Sequence, residues 1–193
     1  MIALDLHLHT FLIIYSIILL LMYIYKKKHR QIFHPYYYIL ILYVLLLFKI
    51  TICPITYVRE EYRNIFSHEN VLSLSIQLIP LKTFFNTIES KTWILQIVGN
   101  LLLFAPLPIL SSIRENTTCN PKKIFTIGLI ISVSIEIIQF LIDIIGHFPT
   151  HVTDIDDVIF NSLGIVLGIF LSKLMKQFGI LKKLHTILIT ERK

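Results

Sequence analysis

The sequence predicts an all-α fold: a polytopic integral membrane helical bundle of about five transmembrane helices, N-terminus outside and C-terminus cytoplasmic. Three observations predict it. Hydrophobic residues make up 55% of the 193 and mean hydropathy is +0.73, an excess that a soluble domain of this length does not need. The isoleucine and leucine residues fall into runs near the ~20 residues that cross a bilayer. Basic residues collect in alternate connections between those runs, which is the pattern that fixes orientation.

The elements follow in order. The first helix, Phe11 to Tyr25, has no basic residue ahead of it and no small-residue cleavage site behind it, so it reads as a retained span and not a signal peptide. The second, Tyr36 to Cys53, opens on Tyr36, Tyr37 and Tyr38, and the third, Trp93 to Ile113, opens on Trp93, as expected of amphipathic rings at headgroup level. The fourth and fifth run from Lys123 to Ile145 and from Ile155 to Met175. Pro54 to Thr92 is the one sizeable segment outside the spans. Its middle, Val71 to Leu81, alternates apolar and small polar residues over too short a length to cross, so it lies in the interface, re-enters, or folds over the helix ends. Both a lid and a surface loop resting its apolar side on the bilayer satisfy that pattern. Arg59, Glu60, Glu61 and Arg63 read as a solvated mixed-charge patch in which an arginine is available to a lipid phosphate.

Orientation comes from Lys26, Lys27, Lys28 and Arg30 between helices one and two, Arg114, Lys122 and Lys123 between three and four, and Lys173, Lys176, Lys182, Lys183, Arg192 and Lys193 at the C-terminal end. These segments are expected in the cytoplasm, whereas residues 1–10 and the connection Gly146 to Thr153 hold no Lys or Arg. The net charge of +6 is therefore a topology signal, with membrane lipids as partners and no nucleic acid. The C-terminal tail, residues 176–193, alternates apolar and basic residues like an anchor on an anionic leaflet. Cys53 and Cys119 fall on opposite sides, which forbids a disulfide between them.

Polar residues inside the spans define the candidate site, because charges in hydrocarbon cost on the order of 3 kcal/mol each on insertion scales unless they are paired or hydrated. Helix three carries Gln96 and Asn100, helix four Ser132, Glu136, Gln139 and Asp143, and helix five Asp154, Asp157, Asn161, Gly164 and Gly168, each set at spacings of three and four on one face. At ~1.5 Å rise per residue, Asn100, Gln139 and Asn161 each sit roughly 10 Å inward from the outer end of their helix, with Glu136 slightly deeper. The candidate ligand-binding set is Asn100, Glu136, Gln139, Asp154, Asp156, Asp157, Asn161 and His151; Glu136 and Asp157 are the candidate catalytic residues.

Blander readings accompany each. The amides also serve as interhelical glue, and Gly164 and Gly168 as a packing face, within the monomer or in a homodimer. Part of the aspartate cluster caps helix five, with Asp156 pointing away from the stripe. Asp154 and Asp157 are the weak candidates for a hard cation, without a cation-loop pattern, and no cofactor is expected. His147 and His151 flank the mouth of the site as possible proton carriers. The run ALDLHLHT, with Asp5, His7 and His9, resembles the opening metal-binding signature of the polymerase and histidinol phosphatase hydrolases, but no soluble barrel follows it.

Four blocks in order carry a broader resemblance: IQLIPLKTF at Ile76 to Phe84, VGNLLLFAPLPIL at Val98 to Leu110, SIEIIQF at Ser134 to Phe140, and VTDIDDVIFNSLGIVLG at Val152 to Gly168. They resemble the signature blocks of the VanZ-like membrane proteins over roughly residues 72–174. The resemblance divides the chain into residues 1–70, with two helices and the start of the outer loop, a VanZ-like unit over 71–175, and the basic tail. Asn100, Glu136, Gln139, Asp154, Asp156, Asp157, Asn161, Pro80, Pro106 and Gly164 match the family pattern. Gln77, Leu81, Pro108 and His151 depart from its usual Asn, Phe, Gly and Arg. A titratable group replaces a permanent cation at 151.

The resemblance implies a role in envelope resistance to teicoplanin-type glycopeptides, exerted by an outward-opening polar pocket that binds or modifies an envelope lipid, a lipid-linked cell-wall precursor or the lipoglycopeptide itself. One alternative is a membrane enzyme acting on an envelope lipid, with Glu136 or Asp157 as general base or with metal assistance; no nucleophile lies at their level. Another is a small transporter or structural protein, against which the carboxylate stripe fades into Gly and Leu toward the cytoplasm.

Overall fold

The structure, a computed structural model, describes residues 2–4, 7–29, 34–57, 68–88 and 92–189. Asp5, Arg30, Arg59, Glu60, Glu61, Arg63, Arg192, Lys193 and the side chains of Lys26 and Trp93 lie outside the described residues. The chain is an all-α membrane bundle. Spans are formed by α1 (Leu8–His29), α2 (Pro35–Ile52), the pair α5 (Thr92–Phe104) and α6 (Pro106–Glu115), α7 (Pro121–Gly146) and α8 (Ile155–Gln177). A short α9 (Ile180–Leu188) follows. Five spans put the α1–α2 and α6–α7 connections and the C-terminal end at one end of the bundle, here called the basic end.

The third span is two helices where the sequence pattern suggested one. Pro106 and Pro108 carry no N–H, so they leave two carbonyls of the last α5 turn without intrahelical partners, and the ladder is interrupted after Ala105, whose backbone stays right-handed helical. The Tyr43 hydroxyl from α2 donates to the Leu103 carbonyl beside this break, at 3.0 Å. At the basic end Asn116 closes α6 in the left-handed conformation, and Asn120 caps α7 by accepting from Lys122 and Lys123 N–H, with Pro121 at the first helical position.

Helix α8 is the hub, packing on α5, α6, α7 and α9. Its small residues make that approach possible. A Cβ at Gly164 would stand 2.7 Å from the Leu101 carbonyl oxygen, and one at Gly168 would overlap the Ala105 carbonyl. The glycine stripe is thus filled from within the chain, against α5 and the proline break. Two apolar clusters complete the interior: Ile52, Phe104, Ile135 and Ile165 among the spans, and Tyr36, Leu110, Ile113 and Leu181 toward the basic end. Leu181 is buried, so α9 is docked on the bundle through its apolar face and leaves Lys182 and Lys183 exposed.

At the opposite end, β1 (Ile2–Leu4) pairs antiparallel with β2 (Ile55–Tyr57). The segment between the second and third spans folds over the helix ends: α3 (His68–Ser75) lies on α7, β3 (Ile76–Gln77) pairs parallel with β4 (Thr153–Asp154), and α4 (Lys82–Thr87) lies against α5 and α8. Neither Cys53 nor Cys119 is in a disulfide.

Candidate functional site

The connection of residues 147–153, between the end of α7 and Asp154, sets the depth of the site. Helix α7 ends with His147 in the left-handed conformation, and Phe148 N–H closes the turn on the Asp143 carbonyl. The chain then descends along α7. Asp154 N–H donates to Glu136 Oε2 at 2.9 Å, and the Thr153 hydroxyl to the Glu136 carbonyl at 3.3 Å. Helix α8 therefore starts level with Glu136, ten residues or about 15 Å below the end of α7. Hydropathy locates spans but carries no information about this offset.

The offset changes which polar groups meet. Asn161 donates to the Ser132 hydroxyl at 2.9 Å, whereas Gln139 sits seven residues, about 10 Å, farther along α7 and donates to the Thr51 carbonyl at 2.7 Å. Asn100 donates to Asp157 at 2.7 Å. The three amides are staggered and do not share the single level expected when each helix is measured from its own end. Gln139 satisfies one of the last carbonyls of α2, an orphan of helix geometry.

The three aspartates divide the work. Asp154 is the N-cap of α8, accepting from Asp156 N–H at 2.9 Å and from the Gln77 amide at 3.3 Å. Asp156 is fully buried, and it faces the overlying segment: it accepts from the backbone N–H groups of Leu81, Thr83 (3.1 Å) and Phe84 (3.3 Å). Its carboxylate thereby caps the first turn of α4, and the segment enters that turn through Leu81 in the left-handed conformation. Gln77 adds a two-point contact with Ile79 through N–H and carbonyl. Asp157 turns to α5, where one oxygen receives both Gln96 (3.1 Å) and Asn100.

His151 does not join this cluster. Its ring lies 3.3 Å from Asp143, a fully buried carboxylate that also accepts from the N–H groups of Thr150 and His151 and from the Ser75 hydroxyl. An Asp143 pair with α3 and the α7–α8 connection is a second brace, between the loop and α7. The regular spacing of the α7 stripe marks Asp143, but nothing in the sequence marks Ser75 as its partner.

The result is a surplus of acceptors. Glu136, Asp154, Asp156 and Asp157 stand within electrostatic range of one another in pairs, and among the described residues none donates to the second oxygen of Glu136 or of Asp157. The buried Asn161 Oδ1 also has no donor. Among the described residues no three His, Cys, Asp or Glu side chains converge in a group able to hold a metal ion. His7 and His9 stack on each other with ring centroids 5.6 Å apart.

Comparison with known proteins bears out the family resemblance. A family model described as VanZ/LLP1 matches residues 40–176. Protein VanZ of Enterococcus faecium is 30% identical over 147 residues, 76% of this chain and 81% of that protein. No solved structure matches the chain.

Proposed function

The chain belongs to the VanZ/LLP1 family, and from that membership we propose that it acts in envelope resistance to teicoplanin-type glycopeptides, binding an amphipathic envelope molecule at the outer headgroup layer. In this reading the basic end is cytoplasmic and the carboxylate cluster faces outward, as the distribution of Lys and Arg favours. The ligand is an envelope lipid, a lipid-linked cell-wall precursor or the lipid-tailed drug.

The observation that carries the proposal is the surplus of acceptors at Glu136, Asp157 and Asn161. Asn161 Oδ1 is buried without a donor, which is costly in a low-dielectric site, and the second oxygens of Glu136 and Asp157 take no donor from a described residue, so a ligand offering ammonium or hydroxyl groups would satisfy all three. Gln96 and Asn100 fix the Asp157 carboxylate, so its remaining oxygen is presented in one orientation. The overlying segment 76–87, held by Asp156, would separate the bound polar group from water. Binding is favoured over turnover because among the described residues no histidine-activated serine or cysteine accompanies the carboxylates, while a general-base role for Glu136 or Asp157 toward a lipid hydroxyl is the enzymatic form of the same site.

The test is teicoplanin and vancomycin susceptibility in a sensitive Gram-positive host producing the native protein or Asp157→Asn at equal membrane levels. Protection against teicoplanin by the native protein, lost in Asp157→Asn, is expected. Undiminished protection by the variant would remove the carboxylate from the function, and lipid mass spectrometry of the same membranes would show a new product only if the site is enzymatic.

A further inference from the structure

At the basic end, far from the carboxylates, two adjoining cavities open between α2, α6 and α7. One, of about 440 Å³, is lined by Tyr36, Leu40, Leu107, Leu110 and Arg114. The other, of about 410 Å³, is lined by Cys119, Asn120, Lys123 and Ile127, and both share Ser111, Glu115 and Ile124. Their composition is graded. Arg114, Lys123 and Asn120 lie at the ends of α6 and α7, while Leu40, Leu107 and Leu110 lie one to two turns into the spans. Tyr36, in the first turn of α2, is only 4% exposed, yet its hydroxyl donates to no described residue. The Arg114 side chain is exposed, stands within electrostatic range of that hydroxyl, and forms no ion pair with a described residue.

A phenol whose ring is buried and whose hydroxyl opens on the cleft, a guanidinium with no ion pair to a described residue and an apolar slot beneath them match one kind of molecule. We propose that this cleft is a binding site for a phospholipid with a hydroxyl-bearing headgroup. Its phosphodiester would be held by Arg114 and the Tyr36 hydroxyl, and one acyl chain would lie over Leu40, Leu107 and Leu110. The guanidinium fork suits two phosphate oxygens at once, and the Tyr36 hydroxyl supplies the third donor. Glu115, on the wall common to both cavities, accepts from a headgroup hydroxyl and disfavours a second negative charge. Lys123 borders the adjoining cavity and adds attraction for the anion. Cation-bearing clefts between helices at a membrane surface are suited to such headgroups, and nothing in this site depends on the carboxylate cluster.

The experiment uses the full chain purified in neutral detergent, with lipid retention read by native mass spectrometry and thermal stabilisation read alongside. Phosphatidylglycerol, phosphatidylcholine and free glycerol phosphate are offered separately. Phosphatidylglycerol should be retained and raise Tm; Arg114→Gln should weaken retention about tenfold, the loss of roughly one charged hydrogen bond, and Tyr36→Phe several-fold. Lys182→Gln with Lys183→Gln, on the exposed face of α9, should change little. Equal retention by Arg114→Gln and the native chain, or equal retention of the two phospholipids, overturns the proposal. Stabilisation by glycerol phosphate as large as by phosphatidylglycerol overturns its lipid half, leaving a soluble-anion site. Tyr36→Phe keeps the ring and its packing, so it stays informative if Arg114→Gln folds poorly.

Discussion

Helices α1 and α8 are both long and apolar enough to cross a bilayer, yet 33% of Ile155–Gln177 in α8 is buried in the protein against 6% of Leu8–Tyr25 in α1. Apolarity does not separate them, since lipid tails solvate leucine as well as a neighbouring helix does. What separates them is the residue types between the leucines. Helix α8 has Gly164 and Gly168 for close approach, and Asp154, Asp157 and Asn161 for hydrogen bonds to three other elements. Helix α1 has no glycine, aspartate or asparagine; its Tyr15 hydroxyl donates to the Tyr38 carbonyl of α2 at 3.3 Å, while Leu12, Ile13, Ile17, Leu20 and Leu21 are all exposed on the protein surface. Small and polar residues therefore identify the span that organises the bundle.

The strongest way to break this contrast is at Gly168. A leucine there has no space, because even a Cβ would overlap the Ala105 carbonyl and stand 3.0 Å from Pro108 Cδ, and backbone does not yield as a side chain does. Gly168→Leu is expected to destabilise by about 3 kcal/mol or more and to lower the yield of folded protein. Gly99, on α5, meets nothing within 4 Å, so Gly99→Leu is the matched control and should leave Tm near the native value. A tolerated leucine at 168 would mean that α8 does not approach the proline break.

Asp156 tests the polar half of the contrast. Asn at this position keeps one acceptor, so its oxygen serves either Leu81 N–H or the Thr83 and Phe84 N–H pair, and its N–H₂ opposes the donors on the other side. A loss of about 2 kcal/mol is expected, with segment 76–87 becoming more sensitive to proteolysis while the spans stay intact. Unchanged cleavage in Asp156→Asn would mean that other contacts hold the segment down.

These two positions also show what the sequence made legible. The spans, the stripe on α8 and the placing of Gln96 and Asn100 on one face of α5 follow from periodicity and hydropathy, which act locally, whereas their meeting with Asp157 is set by how the helices pack. The N-cap at Asp154 follows from its place before an apolar run. The offset of α8, the partnership of Asp156 with α4 and that of Asp143 with His151 and Ser75 do not, because each depends on where a connecting segment lies in three dimensions. Pro106 and Pro108 mark the break in the third span, across which the apolar run itself continues unchanged.

The smallest effect expected is on α1, and it is the sharpest test of what solvates that helix. Ile17 is 51% exposed and Ile165, in α8, is 0% exposed. Both are isoleucines in the middle of a span, so truncation to alanine removes the same atoms from each. At 165 the deletion leaves a cavity among Ile52, Phe104 and Ile135, and about 3 kcal/mol should be lost. At 17 the lipid chains close over the missing methylenes, so the folded and unfolded states in the membrane both see hydrocarbon and the loss should stay below about 0.5 kcal/mol. Thermal unfolding of Ile17→Ala and Ile165→Ala in the same lipid nanodisc reads the difference directly. Equal losses would mean that α1 is covered by protein, which the described chain does not provide, and a second copy would then be the partner to seek by crosslinking from Ile17.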